Sequence, residues 1–304
     1  MATKVVITGA NGQVGRAVTK RLLRSKADVT VIARRTWPEC PAKTIVSLLD
    51  DPRAVRVIET ADAVIHLAGT LLPKSSDTYY GSNVATAAAV ASAARGSNVK
   101  RIIVLSTVNA DETSENEYLR TKGEAERILR ETRIPTVVIR STHIIGPPQD
   151  PGPTAQALLS IDGEPVKILG NGLNIVAPVF REDVAEVLVR ALENGRPGVY
   201  ELCGPDRMTI NELVMLLNRN PDVPMSHLPV RLAVFLSRVI PGLTPALVDF
   251  MIQGSVGNPA PLTREFGITL HALGPIWSSW VPFKDSAGPL LRARECLAEL
   301  SEEP

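Results

Sequence analysis

The sequence has few cysteines, few aromatic residues and almost no net charge. Its three cysteines, Cys40, Cys203 and Cys296, are widely spaced and include no CxxC pair, so we expect neither a disulfide framework nor a metal site. The formal net charge is +1 at pH 7, which gives no electrostatic reason to expect nucleic acid as a partner. Disulfide-stapled, zinc-binding and strongly basic proteins are thereby excluded.

Long hydrophobic runs are also missing. No stretch reaches the roughly 18 apolar residues that a membrane-spanning helix needs. The first residues, MATKVVITGA, lack the apolar segment of a secretion signal. We therefore predict a cytoplasmic protein without a membrane span. The 304 residues are 44% hydrophobic, which suffices for the core of an α/β unit with an added lobe.

The first half of the chain alternates apolar strand patterns with helical patterns. Strands that alternate with helices form parallel βαβ units with right-handed crossovers. The pattern therefore predicts the α/β class, with a doubly wound, mostly parallel Rossmann sheet. Strands are predicted at 4–8, 28–33, 62–67, 101–106 and 136–140, and helices at 14–22, 52–59, 78–95 and 115–131.

After Arg140 the sequence becomes rich in proline and glycine, which is typical of loops. Helices follow at 154–161 and 181–193, then a returning strand at 199–202 and a helix capped by Thr209. We assign 1–145 to a dinucleotide-binding domain, to which 175–204 returns. The remaining ranges, 146–174 and 205–304, are predicted to form a smaller, mostly helical lobe for a substrate or partner.

The segment TGANGQVG follows the first strand and opens a helix. In that context the glycine spacing is typical of a dinucleotide-binding turn. The first glycine permits a tight turn, the second lets the backbone approach a pyrophosphate, and the third lets the helix pack against the sheet. The helix start also presents free N–H groups and a positive dipole end. The cofactor contacts predicted in this turn are Gly9, Ala10, Asn11, Gly12, Gln13, Val14 and Gly15.

The end of the second strand bears on the type of nicotinamide cofactor. NAD-selective folds place a carboxylate there for the ribose 2′-hydroxyl, whereas arginine suits a 2′-phosphate. This strand ends in Ala33 and is followed by Arg34 and Arg35. Guanidinium groups match phosphate oxygens in pairs, so NADP(H) is favoured over NAD(H).

A tyrosine and a lysine follow the fourth strand at a spacing that suits catalysis. Tyr118 and Lys122 are four residues apart and share one face of a predicted helix, and Thr107 ends the preceding strand. A lysine beside a phenol favours the phenolate, so we expect Tyr118 to titrate nearer neutral pH than its reference pKa of about 10. The three residues predict proton transfer coupled to hydride transfer.

These motifs, together with HLAG at 66–69 and RSTHIIGP at 140–147, resemble an atypical or extended short-chain dehydrogenase/reductase of the NAD-dependent epimerase/dehydratase group. The stretch from Val104 to Leu129 is especially similar to the group that includes the nucleotide-binding accessory subunit of respiratory complex I. The resemblance implies that Thr107, Tyr118 and Lys122 form the family triad and that Lys122 also bonds the nicotinamide ribose.

The resemblance also implies further contacts. The HLAG segment would line the cofactor near its ribose, and Val179, Arg181 and Asp183 would close the substrate side. Besides the turn and the two arginines, the expected cofactor contacts are Leu67, Ala68, Gly69, Ser106, Lys122 and Ser141.

The sequence departs from the family in two places. Nucleotide-sugar epimerases usually follow the Ser/Thr with Val-Tyr-Gly and a longer loop, whereas this chain has Val108-Asn109-Ala110 and a short loop, which argues against a nucleotide-sugar substrate. Where the family often has Gly-Asp-Leu, this chain has Ser47-Leu48-Leu49, and Asp50 is shifted.

Several residues are interpreted as structural. His143 and His227 are single histidines, which are more often satisfied structural residues than ligands. Trp277 and Trp280 are expected to pack against the body. A helix around Arg231 and Arg238 is expected to have a solvated face, with a partner or membrane contact as the alternative.

Two functions remain open at this stage. The first is an NADP(H)-dependent oxidoreductase or isomerase-type enzyme in which Tyr118 transfers a proton to or from a small carbonyl or hydroxyl substrate. The second is a non-catalytic NADPH-binding protein with a structural, assembly or redox-sensing role. A protein partner or a homo-oligomer is compatible with both.

Overall fold

The computed structural model describes residues 2–72, 77–240 and 242–279. Trp280, Cys296 and the end of the predicted lobe lie outside these ranges. The domain boundaries themselves stay a prediction. The first part of the chain forms β1 (Lys4–Thr8), α1 (Gln13–Arg24), β2 (Asp28–Ala33), β3 (Lys43–Val46), α2 (Pro52–Glu59), β4 (Ala63–His66), a π-helical segment (Tyr80–Ala85), α3 (Thr86–Ala94), β5 (Arg101–Thr107), α4 (Glu117–Arg130) and β6 (Thr136–Ser141).

The rest of the chain is more irregular. It begins with β7 (Ile144–Ile145), α5 (Gly152–Gln156), β8 (Val166–Leu169), β9 (Ile175–Val176), β10 (Val179–Phe180), α6 (Arg181–Glu193) and β11 (Gly198–Leu202). It continues with β12 (Met208–Thr209), α7 (Ile210–Asn218), β13 (Met225–Leu228), α8 (Val230–Leu236), α9 (Pro245–Ile252), α10 (Ala260–Phe266) and α11 (Leu273–Ser278).

One parallel sheet of seven strands organises the molecule, in the order β11-β6-β5-β4-β1-β2-β3. The predicted Rossmann sheet is therefore confirmed. Its side chains alternate between two cores: Val5 and Ile7 face α1 and α6, while Val6 faces α2, α3 and α4. Because both faces are covered, the strands read as continuous apolar runs.

The strand order reverses between β1 and β4, whose carboxyl ends are Thr8 and His66. Ligands of open α/β sheets bind in the crevice outside such a switch point. The glycine turn and the HLAG segment meet at this crevice, and β5 and β6 end beside it with Thr107 paired to Ser141.

The late segment returns to the sheet through β11, which pairs with β6. A separate apolar cluster joins α5, β8, α7 and α11 and includes Ile168, Leu213 and Trp277. Trp277 packs there as predicted. None of the helices in the described part of the chain combines the length and apolarity that a bilayer crossing requires.

Three local predictions differ from the structure. The helix predicted at 154–161 forms only over Gly152–Gln156, because Pro153 favours a first turn and Gly163 follows soon after with a positive φ. The helix at 78–95 begins as a π-helical segment. The half-buried strand β3 was not predicted.

Candidate functional site

The glycine turn is a close contact between two loops. Gly9 has a φ of +70°, and a Cβ there would lie 2.6 Å from the backbone nitrogen of Ala68. A Cβ on Gly15 would lie 2.5 Å from the carbonyl oxygen of Gly9, whereas one on Gly12 would meet only that oxygen, at 3.3 Å. The first and third glycines therefore serve packing, and Gly12 keeps the start of α1 open. No side chain caps that helix start, so its N–H groups remain available for an anion.

A cavity of about 440 Å³ lies over this turn. Eight of the predicted cofactor residues line it: Gly9, Asn11, Gly12, Arg34, Arg35, Leu67, Ala68 and Gly69. Sequence reasoning gave no cofactor role to further lining residues, among them Ser47, Leu48, Leu49, Asp77, Thr78, Gly81, Ser82 and Thr86. These come from the loop after β3 and from the stretch 77–86, which includes the π-helical segment, and Ser47-Leu48-Leu49 falls where the family motif is altered.

The other predicted cofactor residues do not line this cavity. Ala10, Val14 and Gly15 are buried beneath the turn. Gln13 points its amide oxygen toward Gly152. Ser106, Ser141 and Lys122 lie at the ends of β5 and β6 and on α4, farther along the same sheet edge.

Arg34 is paired within the cavity wall. Its guanidinium donates two hydrogen bonds to the carboxylate of Asp77, at 2.8 and 3.1 Å. Arg35 is exposed and its carbonyl oxygen accepts a bond from Asn11. The wall thus offers two cations and one anion to whatever enters.

Thr107, Tyr118 and Lys122 come together above the ends of β5 and β6. Asn116 caps α4 by accepting bonds from the N–H groups of Tyr118 and Leu119, which fixes where the helix begins. Lys122, one turn later, donates from Nζ to the carbonyl oxygen of Leu105 at 2.9 Å. A Cβ on Gly69 would lie 3.7 Å from Nζ, so the ammonium borders the HLAG segment.

The expected lowering of the Tyr118 pKa is wrong. Tyr118 is only 8% exposed, and burial raises its pKa well above the usual 10, while an interaction with the Thr107 hydroxyl opposes the rise only in part. The phenol lies in an apolar cluster with Tyr79 and Phe250, and the ammonium of Lys122 is bonded to Leu105 instead. Tyr118 is therefore held as a protonated phenol, which can donate a proton.

Burial also shifts the pKa values of two neighbouring bases. It lowers the pKa of Lys122 to about 8, although the charge of Glu126 opposes this. It lowers the pKa of His66 to about 3, with the charge of Lys122 acting in the same direction. His66 is thus neutral, and its Nδ1 shares a hydrogen bond of 2.9 Å with the Thr8 hydroxyl.

Asn83 connects the parts of the site. Its side-chain oxygen accepts from the N–H of Thr70, just after HLAG, and its amide nitrogen donates to the Thr121 hydroxyl on α4. The sequence pattern predicted the helix at 78–95 that carries Asn83, but it gave Asn83 no role in the site. The buried amide of Asn83 holds the HLAG segment against the helix that carries Tyr118.

Several buried polar atoms along this edge have no protein partner within the described residues. Buried polar groups are normally hydrogen-bonded, so such atoms fit a polar ligand that would complete them. Those that border the cavity or the triad are Asn11 Oδ1, Ser47 Oγ, His66 Nε2 and Ser106 Oγ. They run from the far wall of the cavity to the residue beside Thr107, which fits an elongated dinucleotide.

Helix α9 packs against Tyr118. The Phe250 ring meets Tyr118 edge-on, with centroids 5.1 Å apart, and the Tyr79 ring also packs on Tyr118, with centroids 5.7 Å apart. Asn116 donates to Ala246 and Asp249 of this helix at 2.9 and 2.7 Å. The Tyr79 hydroxyl bonds to Thr244 just before it.

The segment at 179–183 was expected to close the substrate side, but its charged side chains are paired with other groups of the protein. Arg181 is buried and bonds to Asp150. Asp183 accepts from the backbone N–H of His271 and pairs with its ring at 2.6 Å. Val179 pairs with Ile144 in a short two-stranded sheet.

His143 is not the satisfied residue that the sequence suggested. It is buried, and neither of its ring nitrogens has a hydrogen-bond partner within the described residues. Its ring packs on Phe250 with centroids 5.8 Å apart. His227, by contrast, bonds to Asn211.

Comparison with known proteins agrees with this geometry. The family model described as "NAD dependent epimerase/dehydratase family" matches residues 5–203. The chain is 27% identical over 227 residues to the mitochondrial NADH-ubiquinone oxidoreductase 40 kDa subunit of Neurospora crassa; the match covers 70% of this chain and 59% of that relative. It is 26% identical over 319 residues to 2-alkyl-3-oxoalkanoate reductase of Stenotrophomonas maltophilia, covering 94% of each.

Among solved structures, the fold is similar to that of UDP-glucuronic acid 4-epimerase from Bacillus cereus, in complex with UDP-glucuronic acid and NAD. The TM-score is 0.71 at 17% identity, covering 91% of this chain and 97% of that one. At this identity the likeness establishes the fold alone.

Proposed function

The chain belongs to the NAD-dependent epimerase/dehydratase family, and we propose that it is an NADPH-dependent reductase of a small carbonyl substrate. The observation that carries the proposal is the protonated phenol of Tyr118, beside Thr107 and one helical turn from Lys122. A neutral phenol suits the direction in which a carbonyl oxygen must receive a proton. The similarity to a reductase over 94% of both chains supports this direction.

Thr107, Tyr118 and Lys122 each have a separate role in the proposed reduction. Thr107 hydrogen-bonds the carbonyl oxygen and holds it against Tyr118, which gives that oxygen its hydroxyl proton. Lys122 would hold the nicotinamide ribose, and solvent returns a proton to the tyrosinate that is left behind. NADPH, when bound, supplies the hydride that the carbonyl carbon accepts. The carbonyl thus becomes an alcohol at the expense of one NADPH and one proton.

The cavity residues fit the dinucleotide in this proposal. The open start of α1 at Gly12 would hold the pyrophosphate, and Ser47 and Leu49 would hold the adenosine end. Arg34 and Arg35 stand where a 2′-phosphate would be, which favours NADP(H). Leu48 stands at the position of the family carboxylate, and the buried Oγ of the neighbouring Ser47, which has no partner within the described residues, is the polar atom left to meet the adenosine.

The substitution Tyr118→Phe tests the assignment of the proton donor. We expect turnover of a carbonyl substrate to fall about 10²- to 10⁴-fold while the NADPH dissociation constant stays unchanged. Tyr79→Phe is the matched control, because Tyr79 packs on Tyr118 but bonds to Leu71 and Thr244 instead. Equal losses in both variants, or full activity in Tyr118→Phe, would contradict the proposed role.

A second function has an observation of its own. Phe250 covers Tyr118, and a relative of this chain is a subunit of a respiratory oxidoreductase. Both favour a protein that holds NADPH without turning it over. Purified protein would then retain NADPH and would not oxidise it when any carbonyl compound is added. The Tyr118→Phe variant would keep its biological function. Steady NADPH oxidation with any aldehyde or ketone would exclude this alternative.

A further inference from the structure

His143 is a buried polar group without a protein partner in the described structure. It is 6% exposed, and both Nδ1 and Nε2 lack a hydrogen bond there. Burying a polar atom without a hydrogen-bond partner is destabilising, so a residue that carries two such atoms calls for a ligand. Packing alone would be served as well by an apolar ring of the same size.

The position of His143 places it beside the reacting groups. Thr107 and Ser141 are register partners at the ends of β5 and β6, and His143 follows Ser141 by two residues. Its ring and that of Tyr118 both contact Phe250, at 5.8 and 5.1 Å. Phe250 therefore borders both Tyr118, the proposed proton donor, and the unpaired imidazole of His143.

The surroundings define what the imidazole can bind. Burial lowers the pKa of His143 to about 4, so the ring is neutral and offers one N–H donor and one acceptor nitrogen. The adjacent cluster is apolar and comprises Leu71, Tyr79, Tyr118, Leu119, Ala246 and Phe250. A phosphate or carboxylate would lose its hydration there without gaining a cation.

We infer that His143 recognises an uncharged hydroxyl next to the reacting carbonyl, in a substrate whose remaining body is apolar. A hydroxyl both donates and accepts, so it can satisfy the imidazole, while an alkyl chain suits Phe250 and its neighbours. The substrate class is an apolar hydroxyketone, and His143 determines specificity within it. This inference rests on the proposed reductase activity and adds the substrate's second functional group.

The test compares 2-octanone with 1-hydroxy-2-octanone, which differ by the hydroxyl alone. We expect the native enzyme to prefer the hydroxyketone in kcat/KM by roughly tenfold or more. His143→Phe keeps the ring volume and should lower kcat/KM for the hydroxyketone roughly 10- to 100-fold, chiefly through KM, while 2-octanone changes less than about threefold. His143→Asn, which restores a donor and an acceptor, should recover part of the preference.

The outcomes separate the inference from the activity on which it rests. A native preference that survives His143→Phe, an equal loss for both ketones, or no native preference at all would overturn the inference while leaving the reductase intact. If the native protein reduces neither of these ketones nor any other aldehyde or ketone, the proposed function fails. Histidine ¹⁵N resonances of the NADP⁺-loaded protein then decide the inference, because 1-hydroxy-2-octanone must shift the signal that His143→Phe removes, and no shift overturns it.

Discussion

Arg34 and Asp77 form a two-bond ion pair in the wall of the dinucleotide cavity, although they lie 43 positions apart in the chain. Arg34 is one of the two arginines that favour NADP(H), so its bond to a carboxylate should weaken the preference for NADP(H) over NAD(H). A 2′-phosphate near this pair would meet the carboxylate as well as the guanidinium.

Replacing Asp77 by Asn should strengthen NADPH binding. The change removes the negative charge that repels a 2′-phosphate and releases the Arg34 fork for it. Because the arginine side chain is 59% exposed, the gain should be about two- to fivefold, with NADH affinity unchanged. Fluorescence titration of both cofactors measures it. Glu131→Gln breaks another exposed ion pair, with Arg127 on α4, and should change neither affinity. Weaker NADPH binding in Asp77→Asn would mean that the carboxylate only orients Arg34.

The glycines of the turn should separate stability from binding. A Cβ on Gly15 meets backbone atoms at 2.5–2.8 Å, so Gly15→Ala should lower the free energy of unfolding by about 2 kcal/mol. Gly12→Ala should leave it within about 0.5 kcal/mol but weaken NADPH binding roughly tenfold, since the new methyl lies at the open helix start.

Urea unfolding and cofactor titration of both variants provide the measurement. Gly274→Ala is the control, because no atom lies within 4 Å of its added Cβ. Equal stability losses at Gly12 and Gly15 would contradict the assigned roles.

Stability should depend on pH through Lys122. Its pKa is about 8 in the folded protein and returns to about 10.5 on unfolding. Between these values the unfolded chain binds more protons, so this group's contribution to the free energy of unfolding rises from pH 8 to 10.5 and is lost as pH falls through that window. The Lys122→Met variant lacks this rise, and its stability should fall progressively behind the native protein above pH 8.

Chemical denaturation at several pH values gives the difference between the two proteins. Lys100→Met serves as a control, because the Lys100 side chain is 81% exposed and borders no part of the site. A constant difference between native and Lys122→Met from pH 7 to 10.5 would refute the shifted pKa.

The buried pair of Glu126 and Arg140 should stabilise the base of the site. Glu126 is 2% exposed and accepts three hydrogen bonds from Arg140, at 2.7–3.2 Å. Breaking one side of a buried pair leaves an uncompensated charge. Glu126→Gln should therefore lower the free energy of unfolding by about 3 kcal/mol, whereas Glu124→Gln, whose partner lies 3.9 Å away, should cost little. Equal losses of unfolding free energy in the two variants would contradict a stabilising role for the Glu126–Arg140 pair.

The sheet and the glycine turn could be predicted because their signals are local. Lys4–Thr8 and Asp28–Ala33 are continuous apolar runs, and both strands form at the predicted residues. The capping of α7 by Thr209 could also be predicted, and Glu212, three residues later, completes a capping box with it. The strand β3 was missed because two of its four residues are exposed and the other two are only half-buried.

The chemistry of the site depends on contacts between distant segments. Asn116 and Asp249 are 133 positions apart, and their hydrogen bond brings Phe250 over Tyr118. The sequence places Lys122 one turn from Tyr118, yet it does not reveal that Nζ bonds to Leu105 or that aromatic rings desolvate the phenol. The predicted direction of the tyrosine pKa was wrong for that reason.

The packing of α9 on Tyr118 should affect the rate of any reaction at the phenol. Phe250 packs edge-on against the phenol, and α9 cannot move away without breaking the bonds that Asn116 makes to it and that Tyr79 makes to its cap, Thr244. Motions of this kind take microseconds to milliseconds and often limit turnover. An enzyme built this way would slow in proportion to solvent viscosity, and a deuterated hydride donor would leave its maximal rate unchanged.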